Sequence, residues 1–325
     1  EVFGPLHSHA GIRFDGLAHN LVTSGVANYN DPDHSGNNEF GVHTHVNPPP
    51  GSGITDTFRA AEAPPSAIPA RPDVFIAGRS FPAPVVNFST ITTDLTQMKT
   101  DAQASGRYHA NSGGGNDGYR IVLKINDTYD LYRVNSLVSP PGGCGNPTWS
   151  VNSTTLLGNY TFPANGLIFV DDDIWVEGTI NGARVTIVAA HIPDTGSSSW
   201  RSVTVNNNLM YTNYDGTDVV ALIGQKDVNV GLVSANILRI DAALVAQNGR
   251  VGRFSYAGCG ANSERSTLTL YGTIVTADRY GFAYAGGNNG YVTRNLIYDS
   301  FLLFNPPPSF PRTTDFYNVI SWKEI

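Results

Sequence analysis

Between Gly166 and Gly249 the apolar residues fall in short β-branched runs separated by Asn, Asp and Gly. The runs are Ile174–Val176, Val185–Ile187, Val203–Val205, Val219–Leu222, Val228–Val230 and Ile237–Ile240, and Leu268–Leu270 and Ile274–Val275 continue them. Each is strand-length and strand-like in composition, and the three-and-four recurrence of a helix is missing. Irregular gaps of roughly 10 to 30 residues suit a parallel β-helix with variable loops better than a strict short-period repeat. A β-sandwich is the competing fold. The Asn residues at the turns (Asn181, Asn206–Asn208, Asn229, Asn236, Asn248) favour the solenoid, because stacked Asn side chains satisfy one another along a ladder.

The flanking patterns differ. Ile91, Leu95, Met98 and Ala102 recur at four, three and four, which predicts one helix with Ser89 as its cap and Gly106 at its stop. Tyr119–Ile125 and Tyr129–Val134, joined by Asn126-Asp127-Thr128, predict an antiparallel hairpin. Ile12–Phe14 and Leu21–Val22 read as first rungs, and Pro48–Pro50 ends the strand that carries His43 and His45. The Pro-rich segment 54–88 is excluded from any central strand. The expected fold is all-β, a mainly parallel β-helix (solenoid) with one short α-helix and an irregular N-terminal third. Residues 1–165 carry the N-terminal rungs, the Pro-rich connection, the helix and the hairpin. Residues 166–325 carry the β-helix body and the C-terminal strands, in one continuous domain.

Composition sharpens this picture. Only 14% of residues are charged, and 34 Gly and 20 Pro accompany many Asn, Ser and Thr, so few surface helices are expected. A net charge of −7 with no Lys/Arg cluster argues against nucleic acid and against an anionic membrane surface. No apolar run reaches membrane-spanning length and no signal peptide is present, so the chain reads as lacking a transmembrane segment and as a processed or truncated product. Cys144 and Cys259 both lie in Gly-rich loops. A bridge between them implies an oxidising compartment, and two independent loop thiols are the alternative.

Three constellations offer chemistry. In the first, Asp31, Asp33, Ser35, Asn37 and Glu39 alternate as oxygen ligands around Gly36, like a fragment of a calcium loop. The spacing is not that of an EF-hand, and a solvated polar turn is the alternative. In the second, the doublets His7/His9 and His43/His45 each place two imidazoles on one strand face, suited to a transition metal. If the two strands were adjacent rungs, four nitrogens would converge; packed or hydrogen-bonded histidines are the alternative. The third is Asp171-Asp172-Asp173. Clustered aspartates serve as acid and base in pectin-cleaving β-helix hydrolases. Those enzymes also carry Gly-His-Gly and Arg-Ile-Lys strings, and here only Arg239-Ile-Asp241 occurs, so a charged turn is the better reading. No catalytic residue is assigned. Ile192-Pro-Asp-Thr-Gly196 reads as a loop, Asn126, Asn152 and Asn159 stand in glycosylation sequons, and Tyr280-Gly-Phe-Ala-Tyr284 reads as a packed strand.

The strings GLIFVDDDIWVEGTINGARVTI, LRIDAALVAQNGRVGRF and RNLIYDSFLLFNPPPSFP, with the opening GPLHSHAGIRFDG and FGVHTHVNPPPGSG, carry a resemblance. They look like the extracytoplasmic region of bacterial type IV pilus assembly proteins of the PilX-type N-terminal family, over nearly the whole chain. The resemblance implies a surface-exposed or pilus-associated β-helical protein and supplies no catalytic residues. The expected function is that of an extracellular or cell-surface structural or adhesive protein. Its expected partners are other surface or pilus proteins, or glycans, and it can self-associate as a homo-oligomer. A polysaccharide-active β-helix enzyme and a self-assembling fibre subunit are the alternatives.

Overall fold

The computed structural model describes residues 1–31, 38–46, 64, 66–85, 90–284 and 288–310. Among its described residues the N-terminal part holds seven short strands: β1 (Leu6–Ser8), β2 (Ile12–Arg13), β3 (Val22–Ser24), β4 (Asn28–Asn30), β5 (Asn38–Phe40), β6 (Val42–His43) and β7 (Arg79–Ser80). β1, β3 and β7 form a parallel sheet, β2 pairs with β6 in parallel, and β4 and β5 form an antiparallel pair. Among the described residues of the Pro-rich segment the only strand is β7, at the edge of its sheet, as the missing proline N–H donors require.

Helix α1 (Thr90–Ala104) follows. Its Leu95, Met98 and Ala102 are buried as the stripe predicts, against Leu167, Phe169, Val188, Ile223 and Val245. An isolated helix of this length is marginal in water, so the packing holds it, with about 1.5–3 kcal/mol from each large side chain buried. The expected cap Ser89 lies outside the described residues. After β8 (Arg107–His109), strands β9 (Gly118–Lys124), β10 (Thr128–Leu137) and β11 (Val151–Thr161) make an antiparallel meander, with the β9–β10 turn at Ile125–Asp127, one residue before the expected Asn126–Thr128.

The described residues of the body hold eleven further strands: β12 (Leu167–Val170), β13 (Ile174–Ile180), β14 (Arg184–Ala189), β15 (Val203–Thr204), β16 (Leu209–Tyr211), β17 (Val219–Gly224), β18 (Val228–Val230), β19 (Ile237–Ala246), β20 (Val251–Arg253), β21 (Glu264–Thr276) and β22 (Gly290–Tyr298). With β8–β11 they form one fifteen-stranded sheet, which curls into a half-barrel. Its pairings run in three parallel columns. One passes from β8 through β12, β14 and β17 to the later halves of β19 and β21. A second passes from β9 through β13, β15, β18 and β20. The third links Gly178, Leu209, Ile240, Leu270 and Leu296. It then continues through parallel bridges to Val2, Ala18 and Phe75. Val2 thus bridges to β22, the last strand among the described residues.

The main core lies between the columns, with Ile187 and Leu222 from the first, Val203 and Val228 from the second, and Ile240 and Leu270 from the third. The first column is buried on both faces, because its other side chains meet α1, and this is why Leu167–Val170 and Val219–Ile223 are continuously apolar. Strand β13 changes column at Gly178, whose φ of +117° and 2.2 Å clearance from a would-be Cβ to the Leu123 carbonyl oxygen leave no room for a side chain. Two expectations change. Leu268–Leu270 and Ile274–Val275 are one strand, β21, instead of two rungs. The Asn side chains mostly bond to backbone instead of to each other: Asn208 Oδ1 accepts from Arg239 N of β19 at 2.9 Å and Asn236 Oδ1 from Ser266 N of β21 at 3.0 Å. Among the described residues only Asn213 and Asn181 meet amide to amide, at 3.0 Å.

Cys144 and Cys259 form a disulfide. Cys259 is buried beside Leu232 and Tyr256, so its loop position did not imply exposure. Among the described residues no helix is long and apolar enough to cross a membrane.

Candidate metal centre

The N-terminal strands converge on four chemically distinctive side chains. Asp31 follows β4, Glu39 lies on β5, His43 ends β6, and His45 is two residues further on. The β4–β5 pairing sets Asn30 opposite Asn38, which brings Asp31 towards Glu39. Gly41 then lets the chain turn into β6, since a Cβ there would stand 1.8 Å from the Val26 carbonyl oxygen. Asp15, just past β2, holds the backbone at His45, accepting from its N–H at 2.8 Å and from the Thr44 hydroxyl at 3.2 Å.

All four side chains are buried, and one donor atom from each lies within 4.8 Å of all the others, an arrangement able to hold a metal ion. His43 Nε2 stands 3.1 Å from Glu39 Oε2 and 3.4 Å from Asp31 Oδ2. His45 Nε2 stands 3.0 Å from Glu39 Oε2 and 3.9 Å from Asp31 Oδ2. On its other side His43 Nδ1 lies 3.0 Å from the Phe40 carbonyl oxygen. A carbonyl only accepts, so Nδ1 carries the proton, and in the neutral ring Nε2 turns a lone pair towards the carboxylates.

The sequence treated the acidic loop and the histidine doublets as separate candidates. The structure joins Asp31 and Glu39 to His43 and His45, and places His7 and His9 elsewhere. His7 Nδ1 lies 2.8 Å from the Thr23 hydroxyl, and the His7 and His9 rings meet edge to face at 5.5 Å. Their strand β1 pairs with β3, while His43 is on β6, which pairs with β2, so the four imidazoles do not converge. Asp33, Ser35 and Asn37 lie outside the described residues.

Asp171–Asp173 form a turn between β12 and β13, and each carboxylate is engaged. Asp171 meets His191 Nδ1 at 2.7 Å and Lys99 Nζ at 3.0 Å. Burial pushes the Asp171 carboxyl up, and the hydrogen bonds from His191 and Lys99 outweigh it, leaving it below the ordinary carboxylate range. Asp172 accepts from the Ser112 N–H and hydroxyl. Asp173 accepts from Ser202 N at 2.7 Å, and burial pushes its carboxyl up to about 6. In Tyr280–Tyr284 the alternating aromatics separate: Phe282 enters the core, whereas Tyr280 is exposed.

No family model matches the chain, and no curated protein or solved structure matches it either.

Proposed function

We propose that the chain is an extracellular or cell-surface structural or adhesive protein, associated with a pilus-like machine and built on a parallel β-helix. The supporting observation is the third column, in which parallel pairing runs through Leu209, Ile240, Leu270 and Leu296 and on into Val2, Ala18 and Phe75. Such stacking draws stability from neighbouring rungs and presents long flanks to partners, whether surface proteins or glycans. The Cys144–Cys259 bridge fits an oxidising location. With this reading goes a divalent ion, Ca²⁺ or a transition metal, at Asp31, Glu39, His43 and His45 in the N-terminal unit.

The raised Asp173 carboxyl near the ionised Asp171 favours a second reading, a polysaccharide-active enzyme, because a protonated and an ionised carboxyl are what glycan cleavage uses. Glycan-array binding without product supports adhesion. Release of reducing ends, abolished in Asp173→Asn, replaces it with the enzyme. Concentration-dependent fibres replace it with a self-assembling subunit. Sequencing the precursor upstream of Glu1 tests the pilus link: a hydrophobic prepilin-type helix supports it, and a plain secretion signal removes it.

A further inference from the structure

Resting on the reading of this cluster as a metal site, we infer that Asp31, Glu39, His43 and His45 bind one four-coordinate transition ion of the zinc class and not calcium, and that the ion pins the β4–β5 pair to β6. Donor type comes first. Two of the four groups are imidazoles, whereas calcium takes six to eight oxygens. Two histidines with two carboxylates match the nitrogen and oxygen ligands of zinc.

Spacing comes second. Zinc–ligand bonds of about 2.0–2.1 Å in a tetrahedron set neighbouring donors about 3.3 Å apart. The four histidine-to-carboxylate separations are 3.0, 3.1, 3.4 and 3.9 Å. Four of the six edges of such a tetrahedron are therefore close to that length, and all four donors lie within 4.8 Å of one another.

The His43 ring is the third and independent observation. With its Nδ1 proton given to the Phe40 carbonyl, a neutral His43 aims a lone pair at Asp31 and Glu39, acceptor against acceptor. That contact is unfavourable unless a second proton or a cation lies between them. A ring nitrogen fixed by a backbone carbonyl on its far side is the usual outer support of a metal-bound histidine.

The pinning role follows from location. The N-terminal unit has a small apolar core, chiefly Val22, Val42, Val74 and Phe75, and the ligands come from three successive segments around β4, β5 and β6. An ion bound only in the folded unit adds its binding free energy to folding.

The test uses the whole chain, stripped with a chelator and dialysed against Zn²⁺, Co²⁺ or Ca²⁺. The expected result is one Zn²⁺ per chain by elemental analysis, with Ca²⁺ in hundredfold excess failing to displace it. Co²⁺ should give the intense visible absorption of a four-coordinate site, which needs no variant and so does not depend on a mutant folding. His43→Ala and His45→Ala should each lower Zn²⁺ affinity at least tenfold, while His7→Ala and His9→Ala leave it unchanged. Zn²⁺ should raise the melting temperature of the wild type and not of His45→Ala. Tight Ca²⁺ binding with weak Zn²⁺ binding overturns the zinc assignment and preserves the metal site. Absence of binding by all three ions removes both, leaving a cluster balanced by protons. Zn²⁺ binding lost in His7→Ala would move the site and overturn the proposal.

Discussion

His109 Nε2 meets the Tyr129 hydroxyl at 2.8 Å, inside a group of rings that includes Tyr119 and Tyr160. Burial raises the Tyr129 pKa, so the phenol keeps its proton and donates it to a neutral imidazole. Burial, helped by Arg107, lowers the His109 pKa to about 4.

This pair predicts a compensated pH profile. As pH falls from about 6.5 to about 4, unfolded His109 takes a proton that the folded chain refuses, so stability is lost towards acid. Asp173 acts in the opposite sense. Its folded value near 6 exceeds the unfolded 3.8, so stability is lost as pH rises from about 4 to about 6. Each shift is worth on the order of 3 kcal/mol. Denaturant midpoints should therefore vary little across this window in the wild type, climb with pH in Asp173→Asn, and fall with pH in His109→Gln. Identical profiles for the wild type and Asp173→Asn would refute the assignment.

Reducing the Cys144–Cys259 bridge opens a loop of 115 residues. Loop-closure entropy sets the loss at up to about 4–5 kcal/mol. Urea unfolding with and without reductant measures it, and Cys144→Ser/Cys259→Ser should match the reduced wild type.

Gly178→Ala places a methyl against the Leu123 carbonyl at a positive φ. Backbone strain of roughly 1–3 kcal/mol is expected before any packing loss. The melting temperature should drop sharply, whereas Gly182→Ala, with nothing near its Cβ, should lose less. Equal losses would refute the role of Gly178 as a crowded corner.

Asn208→Ala and Asn236→Ala each remove an acceptor for a backbone N–H, on β19 and β21 respectively. A cost of about 1 kcal/mol each is expected, and the two should add because they serve different strands. A double-mutant cycle by chemical denaturation checks both numbers; a large coupling would point to a shared ladder.

Local pattern carried much of this fold. The α1 stripe, the β9–β10 hairpin and most β-branched runs follow from neighbouring residues, and each is where its pattern puts it. Relations across the chain were not written locally. His7/His9 and His43/His45 have the same spacing, and only the pairing of β1 with β3 and of β2 with β6 separates them. The one local clue to the true partner was Glu39 four residues before His43, which sequence reading assigned to an oxygen-only loop. Most of the Asn residues marked as turn positions lie between strands, although Asn229 sits inside β18, and at Asn208 and Asn236 backbone donors competed better for the oxygens than other amides did. Likewise, the β21 runs looked separate because an internal Gly272 reads as a break, although the strand passes through it.

The bridge from Val2 to Leu296 also sets a timetable. Val2 is synthesised well before Leu296, so the strand that receives it does not exist while the intervening strands are being made. The parallel strands between β12 and β21 can pair as they emerge, each with an earlier one. The N-terminal strands pair among themselves, but the bridge from Val2 has to wait for β22, which makes this docking a slow, long-range step.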